Sequence, residues 1–209
     1  MVRKTKEEAS RTRQLIIDAA RQVFHECGVG RSSLERIAKA AGVTRGAVYW
    51  HFKDKAELFF AMREDVFRPI VERTDSLLYS EECDDPLDAI EAAIVEFFRV
   101  LEECPTLREV FEIMCLRCEY VEEFSTVLTE ANRPAMEFLT KVEKIYRRAA
   151  ERGRLRPGLD PDAAARDTWA FTSGLLHLLL VSRFEHGLKG QVAAMIKTHM
   201  ALRRPDAPR

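Results

Sequence analysis

The stretch Glu35-Arg36-Ile37-Ala38-Lys39-Ala40-Ala41-Gly42-Val43-Thr44-Arg45-Gly46-Ala47-Val48-Tyr49-Trp50-His51-Phe52 decides the fold. Its spacing predicts two short helices, one capped by Ser32 or Ser33 and ending near Ala40, the other capped by Thr44 and ending near His51. Ala38 is small enough to let the second helix approach, Gly42 accepts a left-handed turn, and Ile37 and Val48 fill the shared core. Any helical hairpin with a glycine turn meets that much of the pattern. The run Tyr49-Trp50-His51-Phe52 goes further: Phe52 alone suffices for packing, so three aromatics at a helix end remain for a surface task.

With Thr44 as the cap, the exposed helix start presents Thr44, Arg45 and Gly46, followed one turn later by Tyr49 and Trp50. In helix-turn-helix proteins this end enters the major groove. Arg45 can donate two hydrogen bonds to guanine, Gly46 lets the backbone come close, and Tyr49 can meet a thymine methyl or a phosphate. Ser33, Thr44, His51 and Lys55 are expected to hold phosphates and so set register rather than sequence. Charge is distributed to match. Residues 1–58 carry 12 Lys/Arg against 7 Asp/Glu, whereas residues 59–209 carry 21 against 27. A local basic excess suits a phosphate footprint, but a net charge of −1 does not suit an architectural protein that coats DNA with its whole surface.

Outward from this motif, period-3.6 patterns recur and sustained period-two alternation is absent, so the chain is expected to be all-α with about nine helices. They fall at about 6–27, 33–40, 44–51, 54–79, 87–103, 106–117, 121–151, 161–184 and 188–202. Residues 1–55 read as a DNA-binding domain and residues 56–209 as a larger helical domain. The longest apolar run, Leu175 to Val181, is broken by His177 and is far too short to span a bilayer. The charged start Met1-Val2-Arg3-Lys4 lacks the apolar core of a secretion signal, which predicts a cytoplasmic protein with no membrane partner. Five cysteines at irregular positions, 27, 83, 104, 115 and 118, read as thiols rather than a disulfide framework.

Residues 33–62 closely resemble the DNA-binding signature of the TetR family of transcriptional repressors. The matching positions run Ile37-Ala38-x-Ala40-Ala41-Gly42-Val43-Thr44-Arg45-Gly46-Ala47-Val48-Tyr49-Trp50-His51-Phe52-Lys53-Asp54-Lys55, then Leu58-Phe59. Arg3-Lys4-Thr5-Lys6, Asp85-Pro86-Leu87 and Cys118-Glu119-Tyr120-Val121 extend the likeness to repressors of multidrug efflux pumps of the acriflavine-resistance-regulator type. The resemblance implies that Thr44, Arg45, Tyr49, His51 and Lys55 contact a palindromic operator. It also implies a homodimer that represses an efflux operon until a drug-like inducer binds.

Dimerisation in that family packs the last two long helices into a four-helix bundle, and Phe171, Leu175, Leu178, Leu179, Val192, Ile196 and Met200 are the candidates here. An intramolecular core is the alternative for both helices. For a ligand pocket the candidates are Val66, Phe67, Ile70, Phe97, Met114, Cys118, Phe138, Trp169 and His177, each of which ordinary core packing would also explain. Pro69 should bend the fourth helix, and ligand filling the pocket is expected to move that helix and so change the separation of the recognition helices by a population shift.

Cys115-Leu116-Arg117-Cys118 raises a redox or zinc reading, but no strand precedes it and no second ligand pair has zinc spacing. A repressor that senses oxidants through these thiols stays open, because Arg117 can lower a neighbouring thiol's pKa. An activator also stays open. His25-Glu26-Cys27 points its side chains in different directions along a helix, so no metal is assigned. No catalytic residue or cofactor is assigned either, and an enzyme is not expected.

Overall fold

Amphipathic spacing sets the first helix, α1 (Lys6–Cys27), in which Ile16, Ala20, Val23 and Phe24 are buried while Arg13, Asp18 and Gln22 face solvent. Gly28 ends it with φ +81°, a backbone that side chains other than glycine adopt only with strain. The computed structural model describes residues 6–80, 84–121, 124–182, 188 and 190–206. The helices that follow are α2 (Leu34–Ala40), α3 (Arg45–His51), α4 (Lys55–Leu78), α5 (Pro86–Glu103), α6 (Pro105–Leu116), α7 (Val127–Glu151), α8 (Pro161–Ser182) and α9 (Val192–Ala201). No strand occurs among the described residues. No helix among them is long and apolar enough to cross a membrane.

Two helices begin later than their periodicity predicts. The pattern at 121–126 continues into α7, yet the described part of that segment is a turn, because Phe124 is buried edge-on against Phe59 with ring centroids 5.6 Å apart. At the other end, Gly190 takes φ +81° and the Gln191 N–H donates to the Leu188 carbonyl, so α9 starts at Val192. The expected end of α8 at Phe184 and the stop at Gly187 lie outside the described residues, as do Arg3-Lys4-Thr5, Cys83 and the tail from 207.

The chain forms two compact units that do not divide it at residue 55. One holds the described residues up to Arg68 together with Pro105–Ala131, and the other holds Pro69–Cys104 and the described residues from Asn132 onward. The reason is α6, which packs on α1. His25 Nε2 lies 2.7 Å from Glu112 Oε2, Arg21 pairs with Glu109, and the Val29 N–H donates to the Arg117 carbonyl at 3.0 Å. In the second unit, α5 and α9 pack together, and Arg204 joins them by ion pairs to Asp85, Asp88 and Glu91.

Both helices that run from one unit into the other carry an internal proline, Pro69 in α4 and Pro134 in α7. Because Pro134 has no N–H, the Glu130 carbonyl loses its helical donor. Arg63 Nη1 replaces that donor at 2.7 Å. Arg63 is only 3% exposed, so its carbonyl partners offset part of the cost of burying a charge.

Candidate nucleic-acid interface and sensing region

The turn between α2 and α3 is built from backbone bonds that only a left-handed residue permits. The Gly42 N–H donates to the Lys39 carbonyl at 3.2 Å and the Val43 N–H to the Ala38 carbonyl at 3.0 Å, with Gly42 at φ +66°. Each helix start is capped as its sequence requires. Ser33 Oγ accepts from the Arg36 N–H at 3.2 Å, and Thr44 Oγ1 accepts from the Ala47 N–H at 3.1 Å. Ile37, Ala38, Val48 and Phe52 are buried and fix the crossing.

That geometry leaves Thr44, Arg45, Gly46, Tyr49 and Trp50 exposed along one end and face of α3. Trp50 is 72% exposed, the most of the described large apolar side chains, and sits beside the exposed Tyr49. His51 is half-buried, its ring edge-on to Trp50 at 4.4 Å. A Cβ on Gly46 would meet only Thr44 Oγ1 at 3.9 Å, so nothing inside the chain requires glycine there.

Arg45 is held rather than loose. Its Nη2 pairs with Glu35 Oε1 at 3.0 Å and donates to the Tyr49 hydroxyl at 3.4 Å, and its guanidinium lies 5.3 Å from the centre of the Tyr49 ring. The Glu35 carboxyl is held below its ordinary range, first by its own backbone N–H and then by the Arg45 charge. Lys55 is engaged differently from the phosphate role expected for it. Its Nζ donates to the Val29 carbonyl at 3.1 Å and the Ser32 carbonyl at 3.4 Å and lies over the Phe124 ring, so it fastens the loop that carries Ser33.

The candidate pocket residues fall into both units. In the first, Val66 is half-buried, Phe67 and Met114 are buried, and Phe67 lies 4.7 Å from Phe111 between ring centres. Cys118 is half-buried there, and burial pushes its thiol up to about 11. Desolvation also raises the Cys115 thiol, although that residue reaches the surface. The lowering expected from Arg117 is not found at either thiol; at Cys118 burial outweighs the Tyr120 hydrogen bond and the Lys55 charge. In the second unit, Ile70 is buried, Phe97 is edge-on to Phe98 at 5.1 Å, and Phe138 lies 6.3 Å from Trp169.

His177 is exposed on α8, on the face that also carries Gly174, Leu178 and Val181, and so it does not line an enclosed wall within its unit. The dimerisation candidates divide too. Leu175, Leu179, Ile196 and Met200 are buried within the second unit and form its core, whereas Leu178 is 52% exposed and Phe171 and Val192 are half-buried. The helix is apolar nearly all round, so periodicity does not distinguish the inward stripe from the outward one. An open trough of about 640 Å³ lies along α8 and α9, lined by Phe171, Ala194, Met195, Thr198, His199 and Leu202 among others.

Sequence reasoning missed Glu35, Arg63 and Val181. Glu35 stands ten residues before Arg45 and no spacing rule joins them across the turn. Arg63 carried a signal, because it interrupts an apolar stripe that includes Phe59 and Phe67.

A family model described as bacterial regulatory proteins of the tetR family matches residues 16–62, and one described as the C-terminal region of MAATS-type transcriptional repressors matches residues 85–204. The HTH-type transcriptional regulator TtgR of Pseudomonas putida is 33% identical over 207 residues, covering 98% of this chain and 97% of its own. The structure of NalD, the secondary repressor of the MexAB-OprM multidrug efflux pump in Pseudomonas aeruginosa, matches with a TM-score of 0.85 and 33% identity, over 95% of this chain and 100% of that one. A complex of SmeT with triclosan matches with a TM-score of 0.79 and 36% identity, over 94% and 93%; SmeT represses the multidrug efflux pump SmeDEF of Stenotrophomonas maltophilia. Matched through both its helix-turn-helix and its C-terminal helices, the chain belongs to the TetR family, a DNA-binding transcriptional repressor and not an enzyme.

Proposed function

We propose that the chain is a cytoplasmic homodimer that represses a multidrug efflux operon by occupying a palindromic operator and that leaves it when a small apolar or cationic compound binds. The observation that carries the DNA-binding part is the capped α3, which holds Arg45, Tyr49 and Trp50 exposed on a rigid, buried base. Arg45 reads guanine, Tyr49 and Trp50 meet the groove wall, and Ser33, Thr44 and His51 set register on phosphates. Lys55 positions the Ser33 loop.

Support for the regulated genes comes from NalD and SmeT, repressors of multidrug efflux pumps, the second of which is known with triclosan bound. Aromatic and Met side chains, Phe67 and Met114 in the first unit and, separately, Phe138 and Trp169 in the second, suit varied apolar compounds. The dimer forms through the outward face of α8 and α9, where Leu178 and Val181 are more than half exposed. Oxidant sensing through the Cys115–Cys118 pair is disfavoured, because burial raises both thiols, Cys118 to about 11, and the thiolate is the reactive form.

The test is a mobility shift on the DNA immediately upstream of the gene, with dyes or antibiotics added in one arm and peroxide in another. Release by apolar compounds and not by peroxide is expected. Release by peroxide alone would move sensing to the cysteines.

A further inference from the structure

We propose that Glu35 is a specificity-determining residue of the DNA interface, a buttress on α2 that fixes the guanidinium of Arg45 so that it reads one base pair. This rests on the assignment of Arg45 as a base reader above. Glu35 Oε1 lies 3.0 Å from Arg45 Nη2, and the Tyr49 hydroxyl accepts from the same nitrogen at 3.4 Å. The Tyr49 ring lies beneath the guanidinium at 5.3 Å. Three contacts from two helices thus fix both the plane of the group and its rotation about the side-chain axis.

The pair does little for the fold. Arg45 and Glu35 have side chains 63% and 50% exposed, and ion pairs that open to water contribute little to stability. Its consequence is positional. A free arginine must freeze several rotamers when it meets a base, whereas a pre-held one has less to lose and meets the O6 and N7 of guanine at a set angle. With the Nη2 hydrogens taken by Glu35 and Tyr49, the Nε–H and Nη1 are left to donate to the base.

The experiment measures binding of the full-length protein to the upstream fragment and to a set of single base-pair substitutions within each half-site. Wild type, Arg45→Ala, Glu35→Gln and the double variant are compared, with thermal melting to confirm that each is folded. Arg45→Ala identifies the base pair it reads. Glu35→Gln should lose about five-fold or more of the discrimination at that same pair, leave the other positions unchanged, and add nothing in the Arg45→Ala background. Wild-type discrimination in Glu35→Gln, or an equal loss at every position, would overturn the buttress while leaving Arg45 as a reader. If Arg45→Ala changes no base preference, the reading of Arg45 falls and the buttress with it.

Discussion

Helices α3 and α8 each leave large apolar side chains in water, yet the neighbours of those side chains differ in chemistry. On α3 the exposed groups are Tyr49 and Trp50, aromatic rings with a polar atom each, beside Arg45. On α8 they are Leu178 and Val181, aliphatic and set along a face with Gly174. Amphipathic rings beside a cation suit a groove edged with phosphates, whereas bare aliphatic groups beside glycine suit a second helix packed closely. Where exposed apolar groups share one face, the chemistry of their neighbours says which kind of partner they suit.

The sharpest way to break that comparison is on α8. Leu175 is 2% exposed and Leu178 52%, so the two should fail differently. Leu175→Ala should cost about 2–5 kcal/mol of stability at any protein concentration, read by chemical denaturation. Leu178→Asp should instead shift sedimentation from dimer to monomer, with a loss that shrinks as protein concentration rises. Equal, concentration-independent losses would mean that Leu178 belongs to the core.

On α3 the corresponding lever is the cap. Thr44→Ala removes the acceptor of the Ala47 N–H and should cost about 1 kcal/mol, by melting, with a parallel loss of operator affinity. An unchanged melting curve would show that α3 does not depend on its cap.

The smallest expected effect is acid sensitivity beside the trough. The His199 ring is stacked on Phe171 at 4.1 Å with Nε2 3.1 Å from Thr168 Oγ1, and burial holds its pKa below the ordinary 6.5. The unfolded chain then takes up this proton first, so the contribution is present above about 6.5 and is lost as pH falls through and below it. His199→Gln should flatten the stability profile in that window, and a profile identical to wild type would exclude His199 as its source.

The same contrast explains what the sequence made legible. Around α3, caps, a left-handed glycine and small core residues act within a few positions of one another, so Thr44, Gly42 and Val48 could be assigned by spacing alone, while the choice of Ser33 over Ser32 as the α2 cap came from the structure. The Glu35–Arg45 pair and the inward use of Lys55 needed the crossing angle. On α8, apolar residues surround the axis, so Leu175 and Leu179 could not be told from the outward Leu178, and His177 could not be placed. The junction of α6 with α1 depends on contacts far apart in sequence, such as Arg21 with Glu109, which no local pattern encodes.

The most direct test of the account is the affinity of wild type and Arg45→Ala for the upstream DNA against a scrambled duplex at fixed salt. A wild type that prefers the upstream DNA, with Arg45→Ala losing about 1–3 kcal/mol of that preference per half-site, is the predicted result. Equal affinity of wild type for both duplexes would contradict it.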